Sequence, residues 1–228
     1  MSPRTANAAA DRAEIPVATD YPALLERARG LMQLPGRTIL GIAGAPAAGK
    51  STLAERLTSD LGPRAALLPM DGYHLSNEVL ISLGSRRRKG AADTFDAAGY
   101  AALLRRLRQD HGEAPETVYA PRFHREIEES IAAEISIGPD IELIVTEGNY
   151  LLLPQGPWSV VRPLLDEAWY IDIEDETRMH RLIRRHVEFG KSSEEAYDWA
   201  HGTDQTNATL ISSTAPHADL IVRLSAQA

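Results

Sequence analysis

The chain has no cysteine, which removes disulfides, thiolate zinc sites and cysteine nucleophiles and permits a reducing compartment. No apolar run approaches the roughly 18 residues of a membrane span. The opening stretch MSPRTANAAADRAEIP lacks the continuous apolar segment of a secretion signal. Basic residues are also in deficit. Lys and Arg number 24 against 32 Asp and Glu, a formal net charge of −8, the wrong sign for a surface built around nucleic-acid phosphates. A local basic pocket is compatible with that balance. Together these absences predict a cytoplasmic protein with neither membrane nor nucleic acid among its partners.

What is present is ordinary globular material. With 43% hydrophobic and 25% charged residues over 228 positions, the chain can bury one sizeable core with a small insertion. Residues 1–18 are mostly small and polar and predict a disordered tail, leaving 19–228 as a single domain. Apolar residues recur at helical spacing over Tyr21–Gln33, with Pro22 in the first turn and Pro35-Gly36 ending the pattern. Thr38–Ala43, Ala65–Met70, Ile141–Thr146, Glu167–Ile173 and Ala218–Leu224 are short apolar runs without alternation, which suits strands covered on both faces. Helical spacing returns in Ser51–Leu61, Phe95–Arg108 (with Asp96 as N-cap), Asp175–Phe189 and Ser193–Leu210. Strands alternating with helices predict an α/β fold: a mostly parallel five-stranded sheet in three layers, with flanking helices. Ser85–Ala92 and Glu113–Ile137 break the rhythm and read as an excursion with short antiparallel strands.

The strongest chemical signal is Gly44-Ala45-Pro46-Ala47-Ala48-Gly49-Lys50-Ser51, with Thr52 next. It matches the G-x-x-x-x-G-K-[ST] phosphate loop. The glycines let the backbone curl so that successive N–H groups face phosphate oxygens. Lys50 can bridge the β- and γ-phosphates, and the Ser51 hydroxyl can join a magnesium shell. A random chain of this length matches roughly 1% of the time. The position between an apolar strand and an amphipathic helix lowers that further. ATP and magnesium are therefore the predicted cofactors.

Other motifs narrow the class. No N-K-x-D guanine-reading motif and no LSGGQ-like segment is present, which disfavours a GTPase and a transporter ATPase. Asp71 ends the strand after the phosphate-loop helix, where a carboxylate can take a hydroxyl proton and lie close to magnesium. Glu147 ends the IELIVT strand, where it can support metal or acceptor. In the helix after Asp175, Arg178, Arg181 and Arg185 share one face, and guanidinium groups there could close over phosphates as a lid, with Gly190 as a hinge. The alternative for these arginines is a solvated face. Arg86-Arg87-Arg88-Lys89 either holds an anionic acceptor, with Arg88 the candidate, or is a solvated loop. His180 and His186 are spaced badly for a metal site. Trp158, Trp169 and Trp199 read as packing residues, and Asn207 as a weak candidate for a place near the nucleotide.

The segments GAPAAGKST, LLPMDGYH, RRRKGAADTFD, VYAPRFHREIEE, IVTEGNYLLL and TRMHRLIRRHVEFGKS resemble the phosphoribulokinase/uridine kinase family of P-loop kinases, which includes the type I pantothenate kinases. The resemblance runs from about Arg37 to the end. It looks nearest to a bacterial subgroup labelled nucleoside/nucleotide kinase-like or fructose transport system kinase. It implies Asp71 as catalytic base, with Lys50, Glu147 and Arg184 completing the transfer machinery and Ser51, Asp71 and Glu147 around the metal. Arg178, Arg181, Arg184 and Arg185 fall in the family's lid helix. Tyr73, His74, Arg88, Tyr119, His124 and Arg125 become acceptor-site candidates. The acceptor is a small-molecule hydroxyl: a sugar such as fructose, a nucleoside, or a pantothenate-like acid. A homodimer would be in keeping with the family. A regulatory ATP-binding module without transfer chemistry is the alternative, and Asp71 and Glu147 argue against it. A nucleic-acid-dependent ATPase is disfavoured by the acidic balance.

Overall fold

Seven consecutive buried residues, Thr38–Gly44, form the inner strand β2. The structure, a computed structural model, describes residues 14–109, 116–190 and 192–224. The tail expected at the N-terminus lies outside the described residues as far as position 13. Its predicted limit at residue 18 is corrected, because Val17–Ala18 form the edge strand β1. Helix α1 (Tyr21–Leu31) comes next, capped where Asp20 accepts from the Ala23 N–H at 2.9 Å. The remaining elements are α2 (Lys50–Leu61), β3 (Ala65–Pro69), α3 (Asn77–Ser82), α4 (Ala97–Gln109), β4 (Val118–His124), β5 (Glu129–Ile137), β6 (Leu143–Gly148), β7 (Glu167–Ile171), α5 (Asp175–Glu188), α6 (Ser193–Trp199), α7 (Gln205–Ser212) and β8 (Leu220–Val222).

The main sheet has the order β1-β8-β7-β2-β6-β3, and every pairing in it is parallel. It has six strands where five are predicted, the extra one being β1. Side chains alternate between two apolar cores. Ile39, Ala43, Leu68, Ile144 and Tyr170 face α4 and the tyrosine- and tryptophan-rich side. Leu40, Ile42, Val145, Trp169 and Ile171 face α1 and α2. Burial on both faces is why these strands read as continuous apolar runs. The predicted long helix over Ser193–Leu210 is present, with a π-helical turn, Ala200–Asp204, between α6 and α7. The excursion over Glu113–Ile137 contains an antiparallel hairpin, β4–β5, whose register shifts between Ala120 and Arg122. Among the described residues, no helix is long and apolar enough to cross a membrane.

Candidate active site

β2 delivers the chain to Gly44 and α2 begins at Lys50, so the phosphate loop turns between a buried strand and a helix N-terminus. Gly49 caps α2 in the left-handed region at φ 97°, and Ala47 is held there too, at φ 64°. Ala47–Thr52 line a cavity of about 550 Å³. Pro46 faces a second cavity of about 450 Å³. Gly44 and Ala45 line neither; they form the loop's base, where the Lys50 ammonium donates to the Ala45 carbonyl at 3.0 Å. Burial pushes Lys50 down to about 8, and the nearby Arg185 and Arg125 push the same way, against Glu147 and Asp71.

Parallel register brings the two carboxylates to the carboxyl edge of the sheet. Glu147 stands opposite Ile42 on one side and Pro69 on the other. Asp71 lies two residues beyond Pro69, in a 3-10 turn, Met70–Tyr73. The Ser51 hydroxyl donates to Glu147 at 3.0 Å. Burial, then the charge of Asp71, pushes the Glu147 carboxyl up to about 7. Burial acts on Asp71 in the same sense, but His74, Arg125, Lys50 and Arg185 outweigh it and hold Asp71 below the ordinary carboxylate range. Ser51, Asp71 and Glu147 are hard oxygen donors in one place. That set fits magnesium, which binds one or two protein oxygens and completes its shell with water and phosphate. Among the described residues, no cluster of three His, Cys, Asp or Glu side chains could hold a metal unaided, so a cation here would rely on phosphate and water.

The hairpin and α5 close the site from above. Arg125, just past β4, donates to Asp71 at 3.0 Å. Lys50, Ser51, Arg125 and Arg185 line both cavities and so mark where the two meet. Arg185 has burial and then Arg125 working against its charge. Three cations crowded against one another are arranged for a polyanion.

The predicted site residues divide. Arg181 and Arg184 line the first cavity, but Arg184 is 80% exposed and paired with Glu188 at 3.2 Å; Arg185, not Arg184, reaches the junction. Arg178 lines neither cavity. It is 1% exposed and donates to Asp175 at 2.9 Å and to Gln205, because the first turn of α5 is covered by α7. His74 faces the second cavity. Tyr73 instead packs edge-on to Tyr100, with ring centroids 5.2 Å apart. Arg88 is turned to Asp93 at 2.6 Å, while Arg86 and Lys89 of the same basic run line the second cavity. Tyr119 is exposed on the hairpin, and His124 sits between Glu126 and Glu134 at 3.0 and 2.6 Å. Of that trio only Arg125 enters the site.

Several residues were not singled out from the sequence. Arg56 and Tyr21, stacked with the guanidinium carbon 3.7 Å from the ring centroid, flank the first cavity together with Ile173 and Leu224. Phe95, Phe123, Asp204 and Asn149 line the second, as does Asn207, expected near the nucleotide. Asn149 alone carried a signal, as the second residue after Glu147.

A phosphate loop feeding two adjoining cavities, with carboxylates on neighbouring parallel strands and an arginine-bearing helix above, defines the P-loop kinase fold. The chain belongs to the phosphoribulokinase/uridine kinase family, whose pattern it matches over residues 39–227. It is 30% identical over 221 residues, covering 92% of this chain and 93% of the relative, to the Schizosaccharomyces pombe protein named "Putative uridine kinase C227.14". Its structure is similar to that of a "putative fructose transport system kinase" from Silicibacter sp. TM1040, with TM-score 0.80, 32% identity and coverage of 90% and 99% of the two chains. YFH7 from Saccharomyces cerevisiae shares the fold at TM-score 0.78 and 17% identity, covering 91% of this chain and 99% of that one.

Proposed function

We propose that the protein transfers the γ-phosphoryl group of ATP to a hydroxyl of a small molecule. The observation that carries this reading is the junction. Lys50, Ser51, Arg125 and Arg185 are common to both cavities, and Asp71 and Glu147 line only the second. ATP in the first cavity would present its γ-phosphate to the acceptor in the second.

In this reading the loop N–H groups and Lys50 hold the phosphates, and Arg181 covers them from α5. The acceptor oxygen forms a bond to the γ-phosphorus as the bond from that phosphorus to the β-γ bridging oxygen breaks. ADP leaves and the hydroxyl proton passes to Asp71. Before that, Asp71 must exchange its ion pair with Arg125 for the acceptor hydroxyl, which frees the guanidinium for the transferring group. Arg185 meets the same developing charge from above. Magnesium held through Ser51, Glu147 and Asp71 would supply charge neutralisation on the phosphate oxygens.

The test is ADP release from ATP and magnesium with and without small hydroxyl compounds, in wild type and Asp71→Asn. Acceptor-stimulated release is expected, falling about 10²–10⁴-fold in the variant with ATP affinity retained. Full turnover in Asp71→Asn would remove the base assignment. ATP binding that no acceptor stimulates would favour a regulatory nucleotide-binding module.

A further inference from the structure

If the protein is the kinase proposed above, the lining of the second cavity narrows its acceptor class. Charged side chains there, away from the junction, already have protein partners. Arg86 donates to Glu128 at 3.3 Å. Lys89 donates to the Asn77 side-chain oxygen at 2.8 Å and to the Glu128 carbonyl. His186 is paired with Asp204 at 2.7 Å, and Glu126 with His124 at 3.0 Å. An anionic acceptor would find the rim cations Arg86 and Lys89 already engaged, and would face Glu126, Glu128 and Asp204 as well.

The groups left over are uncharged. The carboxamides of Asn207 and Asn149 line the cavity and have no side-chain hydrogen-bond partner among the described residues. Asn207 is only 9% exposed. A primary amide carries two donors and an acceptor oxygen, and in both residues these are open to a molecule in the cavity. The position of Asn207 has a structural cause: the π-helical turn Ala200–Asp204 stands just before α7. Such turns add a residue to the helical repeat and re-aim the side chains of the next turn. His74 contributes a third group. Its Nδ1 meets the Asp71 carbonyl at 2.8 Å, and Nε2 has no hydrogen-bond partner among the described residues. Its ring lies between Phe95 and Phe123, with centroids 4.0 and 4.4 Å away. Amides and an imidazole nitrogen match hydroxyl groups, which both donate and accept, and Phe95 and Phe123 in the same lining offer apolar surface to the C–H groups of a sugar ring.

We infer that the acceptor is an uncharged polyhydroxylated molecule, a free sugar or the sugar of a nucleoside. One hydroxyl lies at Asp71 and others on Asn207, Asn149 and His74, with Asn207 determining specificity. Phosphoryl transfer is balanced as above: the acceptor oxygen gains the phosphoryl group, its proton goes to Asp71, and ADP departs.

The experiment compares D-fructose, D-ribose and uridine with pantothenate, glycerate and fructose 6-phosphate. Binding is measured calorimetrically in the absence of ATP, and turnover by ADP release. Wild type, Asn207→Ala and Asn207→Asp are assayed alike, with thermal melts as the check on folding. At least one neutral compound should bind and be phosphorylated in preference to every anionic one. Both variants should raise its KM tenfold or more, with the KM for ATP within twofold. Preference for an anionic compound, an unchanged acceptor KM in folded Asn207→Ala, or no neutral compound binding or reacting would each overturn the inference. An anionic compound turned over alone leaves the kinase reading standing. A neutral compound that binds through Asn207 without phosphorylation upholds the inference and removes the kinase reading.

Discussion

At the scale of single residues, burial and neighbouring charges set the protonation of the site. Glu147 is buried beside Asp71, and its carboxyl takes up a proton at about 7 instead of 4.5. A carboxyl raised in this way stabilises the fold while protonated, and the contribution is lost as pH rises from about 4.5 to about 7. Asp71, shifted downward, acts below that window. Lys50, lowered to about 8, acts above it. In metal-free protein, Glu147→Gln should therefore melt several degrees higher than wild type at pH 8 and much the same at pH 4.5. That corresponds to a gain on the order of 2 kcal/mol. Glutamine keeps an oxygen for the Ser51 hydroxyl, so the fold is not otherwise disturbed, and magnesium-dependent turnover should fall. Melting curves in chelator across pH 4.5–8 measure this, and parallel pH profiles for the two proteins would contradict it.

At the scale of elements, the hairpin is positioned by backbone. A Cβ on Gly72 would run into the Pro121 carbonyl of β4, and backbone yields less readily than a side-chain tip. Gly72→Ala should push the hairpin away and carry Arg125 off Asp71. We expect turnover to drop at least tenfold with ATP affinity little changed, and stability to fall by about 1–3 kcal/mol. ATP titration beside steady-state assays would show this, and normal turnover would mean that the hairpin can shift without cost. Elements of this fold differ in how legible they are in sequence. β2, β6 and the phosphate loop could be read because burial on both faces and a fixed loop chemistry leave a local imprint. So could Asp71 and Glu147, since each stands at or just past the carboxyl end of an apolar run. The arginines of α5 could not be sorted. Spacing puts Arg178, Arg181 and Arg185 on one face, but which part of it α7 covers is a tertiary matter, and Arg178 is buried against Gln205. Tyr73, Arg88 and Tyr119 stand close in sequence to true lining residues, while alternation on the hairpin and the 3-10 turns directs them elsewhere. Arg56 and Tyr21 meet across separate helices, a proximity that no spacing rule records.

At the scale of the whole molecule, the parallel sheet separates two tasks around one edge. β2, β3 and β6 deliver the phosphate loop, Asp71 and Glu147, while β7 and β8 lead into Ile171, Asp172 and Leu224 on the side of the first cavity. The second cavity draws on the hairpin, the α6–α7 segment and the basic run near Arg86. β8 is only three residues long and depends on its neighbours. The N–H groups of Ile221 and Arg223 donate to the carbonyls of Pro16 and Ala18, each at 2.9 Å. A chain beginning at Thr19 keeps the Asp20 cap of α1 but loses Pro16 and both residues of β1. Two hydrogen bonds at about 1 kcal/mol each predict a loss of roughly 2 kcal/mol and a melting point several degrees lower. The freed edge should also promote self-association. Because Leu224 lies directly beyond β8, the KM for ATP should rise a few-fold. The acceptor KM should stay within twofold, since no residue of β1 or β8 faces that cavity. A shift in acceptor KM with ATP unaffected would mean that the two sides of the sheet are not independent in this way.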